Sequence, residues 1–114
     1  MEQCINRVIS FLIPVPFSNL TNKKQRPVLV ISSNHYNKTT EDIVVVAITS
    51  QLKNLDYSVK IESKDLNEGE LKVTSEIRAD KVYTLSKDII RKKFGKVNSK
   101  VLDDVRLNIK DLIK

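Results

Sequence analysis

Two runs of β-branched and aliphatic residues, 28–32 and 43–48, do most to limit what this chain can fold into. Neither run alternates cleanly between apolar and polar side chains, which is typical of strands that are covered on both faces. A sheet of such strands needs a second layer, or it must curl into a small barrel. Since 114 residues provide for one core, we expect a single domain over residues 1–114.

Other short segments also carry strand patterns, and polar or turn-forming segments separate them. Strands are predicted at residues 8–13, 57–61, 71–73 and 77–85. Loops or turns are predicted at residues 14–25, 34–42 and 67–70. The first 85 residues are therefore predicted to form mainly short strands.

The pattern becomes helical after residue 85. Ser86 can cap a short helix through residue 92, which Gly95 ends, and Ser99 can cap a last helix that runs to the C-terminus. Four apolar residues of the last helix recur at helical spacing: Leu102, Val105, Ile109 and Leu112. We interpret this stripe as the face that packs on the sheet. The sequence predicts a mostly β fold with a C-terminal helix, as a small SH3-like barrel or a curled antiparallel sheet.

The balance of charges points to an anionic partner. The chain has 20 Lys and Arg against 14 Asp and Glu, a net charge of +6, and nucleic acid is the first candidate. Its single cysteine, Cys4, cannot form an internal disulfide and is typical of a reducing compartment, so we expect a cytoplasmic protein. The apolar run 8–13 is too short for a membrane-spanning helix, and no membrane association is expected.

Several kinds of active site are excluded by the residues that the chain contains. His35 is the only histidine, so a ribonuclease site with two histidines cannot be built. No residues stand at metal-ligand spacing, and we expect neither a metal nor a cofactor. Gly69 and Gly95 are the only glycines, so there is no glycine-rich phosphate loop. Chemistry on a phosphate would depend on Arg, Lys, hydroxyl groups and backbone amides.

Arg26 stands at the entrance of the predicted strand 28–32. Pro27 restricts Arg26 to an extended backbone, and an Arg held there can bind a phosphate bidentately. Thr49 and Ser50 follow directly after the strand 43–48. If these two strands pair antiparallel, the start of one lies beside the end of the other, which places Arg26 near Thr49. The ordinary alternatives are a solvated arginine and turn-forming hydroxyl residues.

Five segments, in chain order, resemble the MazF/PemK family of toxin endoribonucleases. They are PVPFSNLT at 14–21, KQRPVLVIS at 24–32, IVVVAITS at 43–50, SEIRADKVYTLSK at 75–87 and FGKV at 94–97. The resemblance implies a toxin that cuts single-stranded RNA without metal, by attack of a ribose 2′-hydroxyl that leaves a 2′,3′-cyclic phosphate and a 5′-hydroxyl. It also implies a homodimer with RNA across its groove and a cognate antitoxin that competes for that groove.

The family's catalytic positions match Arg26 and Thr49 of this chain. Ser18 and Ser75 stand where the family has supporting polar contacts. The full set of candidate substrate-binding residues is Ser18, Lys23, Lys24, Ser50, Ser75, Arg78 and Lys81.

The chain departs from the family pattern in ways that leave alternatives open. It has Asn6-Arg7-Val8 where the family begins with Gly-Asp-Ile or Gly-Asp-Val, and residues 14–25 include no Asp or Glu. An arginine is a poor proton acceptor, so the general base stays open among Asp80, Glu76, the other subunit and the substrate. One alternative function is a non-catalytic module that binds nucleic acid or a protein. Another is a gyrase poison, since the CcdB toxins share this fold, but those depend on a tryptophan and this chain has none.

Overall fold

Seven strands and two α-helices make up the part of the chain that the computed structural model describes, residues 8–12 and 26–114, with side chains for 27–90 and 93–114. The strands are β1 Val8–Leu12, β2 Arg26–Val30, β3 Asp42–Thr49, β4 Ser58–Ile61, β5 Leu66–Glu68, β6 Ser75–Ser86 and β7 Ile90–Val97. The helices are α1 Asn34–Thr39 and α2 Ser99–Ile113. Short 3-10 turns occur at Ser63–Asp65 and Lys87–Ile89.

The seven strands form one antiparallel sheet in the order β4-β6-β3-β2-β1-β7-β5. The main core cluster includes Ile61 from β4 and Val97 from β7, strands near opposite edges of the sheet. Residues so far apart in the strand order can share a core only if the sheet curls around it. Val101 and Val105 of α2 join the same cluster and cover the concave side. The predicted fold, a curled antiparallel sheet with a C-terminal helix, is confirmed.

The central strands are buried on both faces. Val28, Leu29 and Val30 are 3%, 0% and 4% exposed, although neighbouring residues of a strand face opposite sides of the sheet. Leu29 belongs to the core under α2, while Val28 and Val30 belong to a second cluster with Ile43 and Val45. This double burial is the physical reason for the apolar runs that lack alternation.

Some local predictions were wrong. The segment 34–42 is not only a connection, because it contains α1, whose first turn is capped by the Ser33 hydroxyl accepting from the Tyr36 N–H. Residues 71–73 form no strand. The last helix is capped by Asn98 rather than Ser99, through an Asn98 side-chain oxygen that accepts from the Val101 N–H.

The short helix predicted through residue 92 is instead a 3-10 turn followed by β7. Ser86 does cap it, accepting from the Asp88 N–H, but the turn ends at Ile89. Gly95 lies inside β7 rather than ending a helix, and a Cβ there would lie 2.5 Å from the Glu68 carbonyl oxygen. Gly95 is therefore required by the close approach of β5 to β7.

The stripe on α2 packs as predicted for most of its length. Val101, Leu102 and Val105 are buried, and Ile109 packs against the core, whereas Leu112 is 40% exposed. No helix within residues 8–12 and 26–114 is long and apolar enough to cross a membrane.

Candidate active site

Arg26 and Thr49 lie at the same end of the two central strands. β2 begins at Arg26 and β3 ends at Thr49, and the two strands pair antiparallel, as predicted, with Val28 opposite Ala47. Arg26 and Thr49 each stand two residues beyond this pair, at the same end of the sheet.

The Thr49 hydroxyl has a defined environment. Thr49 is half-buried, and its Oγ1 accepts a hydrogen bond of 3.1 Å from the Gln51 N–H. The hydroxyl hydrogen remains able to donate, since a threonine oxygen can accept and donate at once. Ser50, the next residue, is exposed. The end of β3 thus offers a hydroxyl donor whose oxygen is already held by the backbone.

Glu76 lies opposite Thr49 on the neighbouring strand, β6. It pairs with Thr49 on one side and with Lys60 of β4 on the other. Its side chain is 1% exposed, and Oε1 accepts a hydrogen bond of 2.8 Å from the Asn54 N–H. Asn54 has the left-handed φ of 52°. Among the residues that the structure describes, Oε2 of Glu76 has no hydrogen-bond partner.

Sequence reasoning named Glu76 only as one of several candidate bases and missed its contact with Asn54. The signal was a carboxylate inside a strand, between Ser75 and Ile77. Asp80, another candidate base, makes a bidentate pair with Arg78, with Nε to Oδ1 at 2.9 Å and Nη2 to Oδ2 at 2.8 Å.

The Arg78–Asp80 pair changes the pKa of both groups. The hydrogen bonds and charge of Asp80 raise the pKa of Arg78, and the negative charge of Glu76 adds to this shift. Arg78 in turn holds the pKa of Asp80 below its usual value. Arg78 stands two residues after Glu76 in β6, so its side chain lies on the same face of the sheet. Its Nε and Nη2 are committed to Asp80, which leaves Nη1 for a phosphate.

The other predicted binding residues are dispersed. Ser75 is 5% exposed, and its hydroxyl donates to the Val73 carbonyl at 3.2 Å. As the neighbour of Glu76 in β6 it faces the opposite side of the sheet, so the structure does not bring it together with Thr49. Lys81 is exposed, in the stretch 79–81 where the β3–β6 register shifts. Ser18, Lys23 and Lys24 lie outside the residues that the structure describes.

Cations predominate around this end of the sheet. Lys60 and Lys81 are exposed, and Arg26 begins the adjacent strand. Over the described ranges, no three His, Cys, Asp or Glu side chains are grouped as metal ligands. His35 lies exposed in α1, near the opposite end of β3. The arrangement fits a phosphodiester that is bound by positive charge and receives a hydrogen bond from Thr49.

One protein family matches the chain almost from end to end. The profile of the PemK-like, MazF-like toxins of type II toxin–antitoxin systems matches residues 11–113. No curated protein sequence matches the chain significantly.

Several solved structures share the fold at low sequence identity. An endoribonuclease from a Mycobacterial species, in complex with its cognate antitoxin, is 20% identical with a TM-score of 0.76, covering 96% of this chain and 93% of that chain. MazF from Deinococcus radiodurans is 22% identical with a TM-score of 0.75, covering 99% of this chain and 97% of that chain. The MazE–MazF structure (Form-II) from the same organism is 21% identical with a TM-score of 0.75, covering 96% and 93%.

Proposed function

Because the chain belongs to the PemK-like, MazF-like toxins of type II toxin–antitoxin systems, we propose that it is an endoribonuclease that cuts single-stranded RNA without metal. The observation that carries the proposal is the register of β2 and β3. β2 begins at Arg26, whose charge does not titrate away, at the end of the sheet where β3 finishes with the Thr49 hydroxyl, which can still donate. These are the two groups that stabilise the charge that grows on a phosphate during transfer.

The reaction is a transesterification within the RNA. The ribose 2′-oxygen passes its proton to water and forms a bond to the adjacent phosphorus. The bond from phosphorus to the 5′-oxygen breaks, and that oxygen takes a proton from water. The products are a 2′,3′-cyclic phosphate and a 5′-hydroxyl. Arg26 clamps the phosphate and keeps its charge, donating hydrogen bonds to the phosphate oxygens, while Thr49 donates a hydrogen bond to a non-bridging oxygen.

The proposal includes the remaining predicted contacts and partners. Lys23, Lys24 and Lys81 contact phosphates along the groove, together with the free Nη1 of Arg78, and Ser18 and Ser50 supply polar contacts. The protein acts in the cytoplasm as a homodimer with RNA across both copies. A cognate antitoxin competes for the groove, in keeping with the similar endoribonuclease that was solved with its antitoxin.

A non-catalytic RNA-binding module is the second candidate, and one observation favours it. Of the two carboxylates considered as bases, Asp80 is paired with Arg78 and Glu76 is 1% exposed. A general base must approach the proton that it takes to about 2.6–3.2 Å, or act through one water. In this reading the same positive surface retains RNA without cutting it.

One experiment separates the two candidates. The purified chain is incubated with a mixed RNA in EDTA, and the ends of the products are mapped. The nuclease produces new 5′-hydroxyl ends at defined sites, and Arg26→Ala removes them. If the RNA stays intact and is only retarded in a gel, the protein is a binding module and not a nuclease.

A further inference from the structure

The loop between β3 and β4 is tied to the sheet at two opposed residues. Near its start, the Gln51 N–H donates to Oγ1 of Thr49 at 3.1 Å. Three residues later, the Asn54 N–H donates to Oε1 of Glu76 at 2.8 Å. Thr49 and Glu76 are cross-strand partners, so a single row of the sheet anchors both ends of this segment.

The second tie is the stronger of the two. Glu76 is 1% exposed, and a hydrogen bond from an amide to a buried carboxylate is stronger than one to a neutral hydroxyl on a half-exposed side chain. Asn54 takes the left-handed φ of 52°, a conformation that costs free energy for a residue with a side chain. The contact with Glu76 offsets that cost, and it holds the loop in the conformation that reaches Thr49.

Glu76 is poorly placed for direct contact with RNA. Oε1 already accepts from the Asn54 N–H, and Oε2 is buried. The charged residues beside it are Lys60 opposite in β4 and Arg78 two residues on in β6. A substrate oxygen could approach the carboxylate only by displacing the loop, so action through a neighbouring residue fits the geometry better.

We propose that Glu76 is a positioning residue of this nuclease site. Its buried carboxylate pins the β3–β4 loop through the Asn54 N–H, and the pinned loop orients the Thr49 hydroxyl toward the scissile phosphate. The inference rests on the proposed function. Because only Oε1 is used, an amide oxygen can still accept from the Asn54 N–H, so Glu76→Gln should hold the loop more weakly and keep most of the activity.

The experiment compares Glu76→Gln, Glu76→Ala, Thr49→Val and the double variant Glu76→Ala/Thr49→Val. Glu41→Ala is the matched control, an exposed carboxylate at the other end of β3. Cleavage of one RNA is followed in single turnovers at saturating protein across a range of pH, and folding is checked by thermal melting. Amide hydrogen exchange of Asn54 and Gln51 reports on the loop without any RNA.

We expect Glu76→Ala to slow cleavage by about 10–30-fold, as much as Thr49→Val, because each variant removes the contribution of one half-buried donor to the phosphate. The double variant should be no slower than either single variant. Exchange of the Asn54 amide should quicken by about 10-fold or more in Glu76→Ala, because a hydrogen bond to a charged group is lost. Glu41→Ala should match wild type in rate, pH profile and exchange. Glu76→Gln should keep the pH profile and most of the rate, and its Asn54 exchange should lie between wild type and Glu76→Ala, because an amide oxygen accepts a weaker hydrogen bond than a carboxylate.

Three results would overturn the inference while the proposed function stands. They are rate losses that multiply in the double variant, unchanged exchange in Glu76→Ala, and a Glu76→Gln variant that folds but loses both cleavage and the acidic limb of the pH profile. The last result would make Glu76 the proton acceptor. If wild type cuts no RNA, the proposed function fails and the positioning role fails with it. If Glu76→Ala does not fold, the rate and exchange of Glu76→Gln still decide.

Discussion

Thr49→Val tests the chemistry assigned to β3 with little disturbance of the fold. Valine has nearly the shape of threonine, so the variant removes the hydroxyl and leaves the packing at the strand end. The acceptor that is lost serves the Gln51 N–H, which lies on an exposed residue and can turn to water. The free energy of unfolding should therefore change by no more than about 1 kcal/mol.

The expected effect on cleavage follows from the kind of hydrogen bond that is lost. Removing one preorganised donor to an oxyanion costs about 10²–10³ in rate. Thr49 is only half-buried, and solvent weakens its hydrogen bond to the phosphate relative to a donor in an enclosed site, which reduces the expected loss to about 10–30-fold. Valine at position 49 has no group that could donate this hydrogen bond to the phosphate in place of the hydroxyl.

The assay is single-turnover cleavage of one RNA by wild type, Thr49→Val and Thr49→Ser. Serine keeps the hydroxyl, so Thr49→Ser should recover most of the rate. Melting temperatures provide the control for folding. If Thr49→Val folds and cleaves at the wild-type rate, the hydroxyl does not contact the reacting phosphate, and the reasoning from the β2–β3 register is wrong.

Three further predictions concern other parts of the molecule. Arg26→Ala should slow cleavage by about 10²–10³-fold without loss of folding. Arg26→Lys should restore only part of the rate, because an ammonium cannot make the planar two-point contact. A fully active lysine variant in the same assay would contradict the bidentate contact. The Arg78–Asp80 pair lowers the pKa of Asp80, so it stabilises the fold above the usual carboxyl pKa and the stabilisation is lost as pH falls through the lowered value. Urea unfolding of wild type and Asp80→Asn is measured from neutral pH down to about pH 2, and the free energy of unfolding should fall less in the variant. If it falls equally in both proteins, the Arg78–Asp80 pair does not stabilise the fold. Gly95→Ala should lower the free energy of unfolding by about 1–3 kcal/mol, because the new Cβ would lie 2.5 Å from the Glu68 carbonyl oxygen. An unchanged urea midpoint would show that β5 can move away from β7 without loss of stability.

Local sequence patterns are enough to predict the central strands, the last helix and the location of Arg26 at the same end of the sheet as Thr49. Each follows from local patterns: apolar runs such as 28–32 predict strands buried on both faces, and the stripe through Leu102 and Val105 predicts a packed helix. β2 and β3 are consecutive strands, so antiparallel pairing alone brings the start of one to the end of the other. Helix α1, which the sequence analysis missed, could also have been predicted from the local sequence, since Ser33 is an ordinary capping residue.

The position of Glu76 opposite Thr49, in contrast, depends on the folded sheet as a whole. The two residues are 27 positions apart, and the register between their strands depends on a shift between Val46 and Ala47 that leaves residues 79–81 without partners in β3. Core packing of Ile48 and Ile77 fixes such a register, and no local pattern encodes it. Gly95 is similar: its sequence context suggested a helix end, but its necessity comes from β5, a strand whose carbonyl at Glu68 approaches β7 only in the folded sheet.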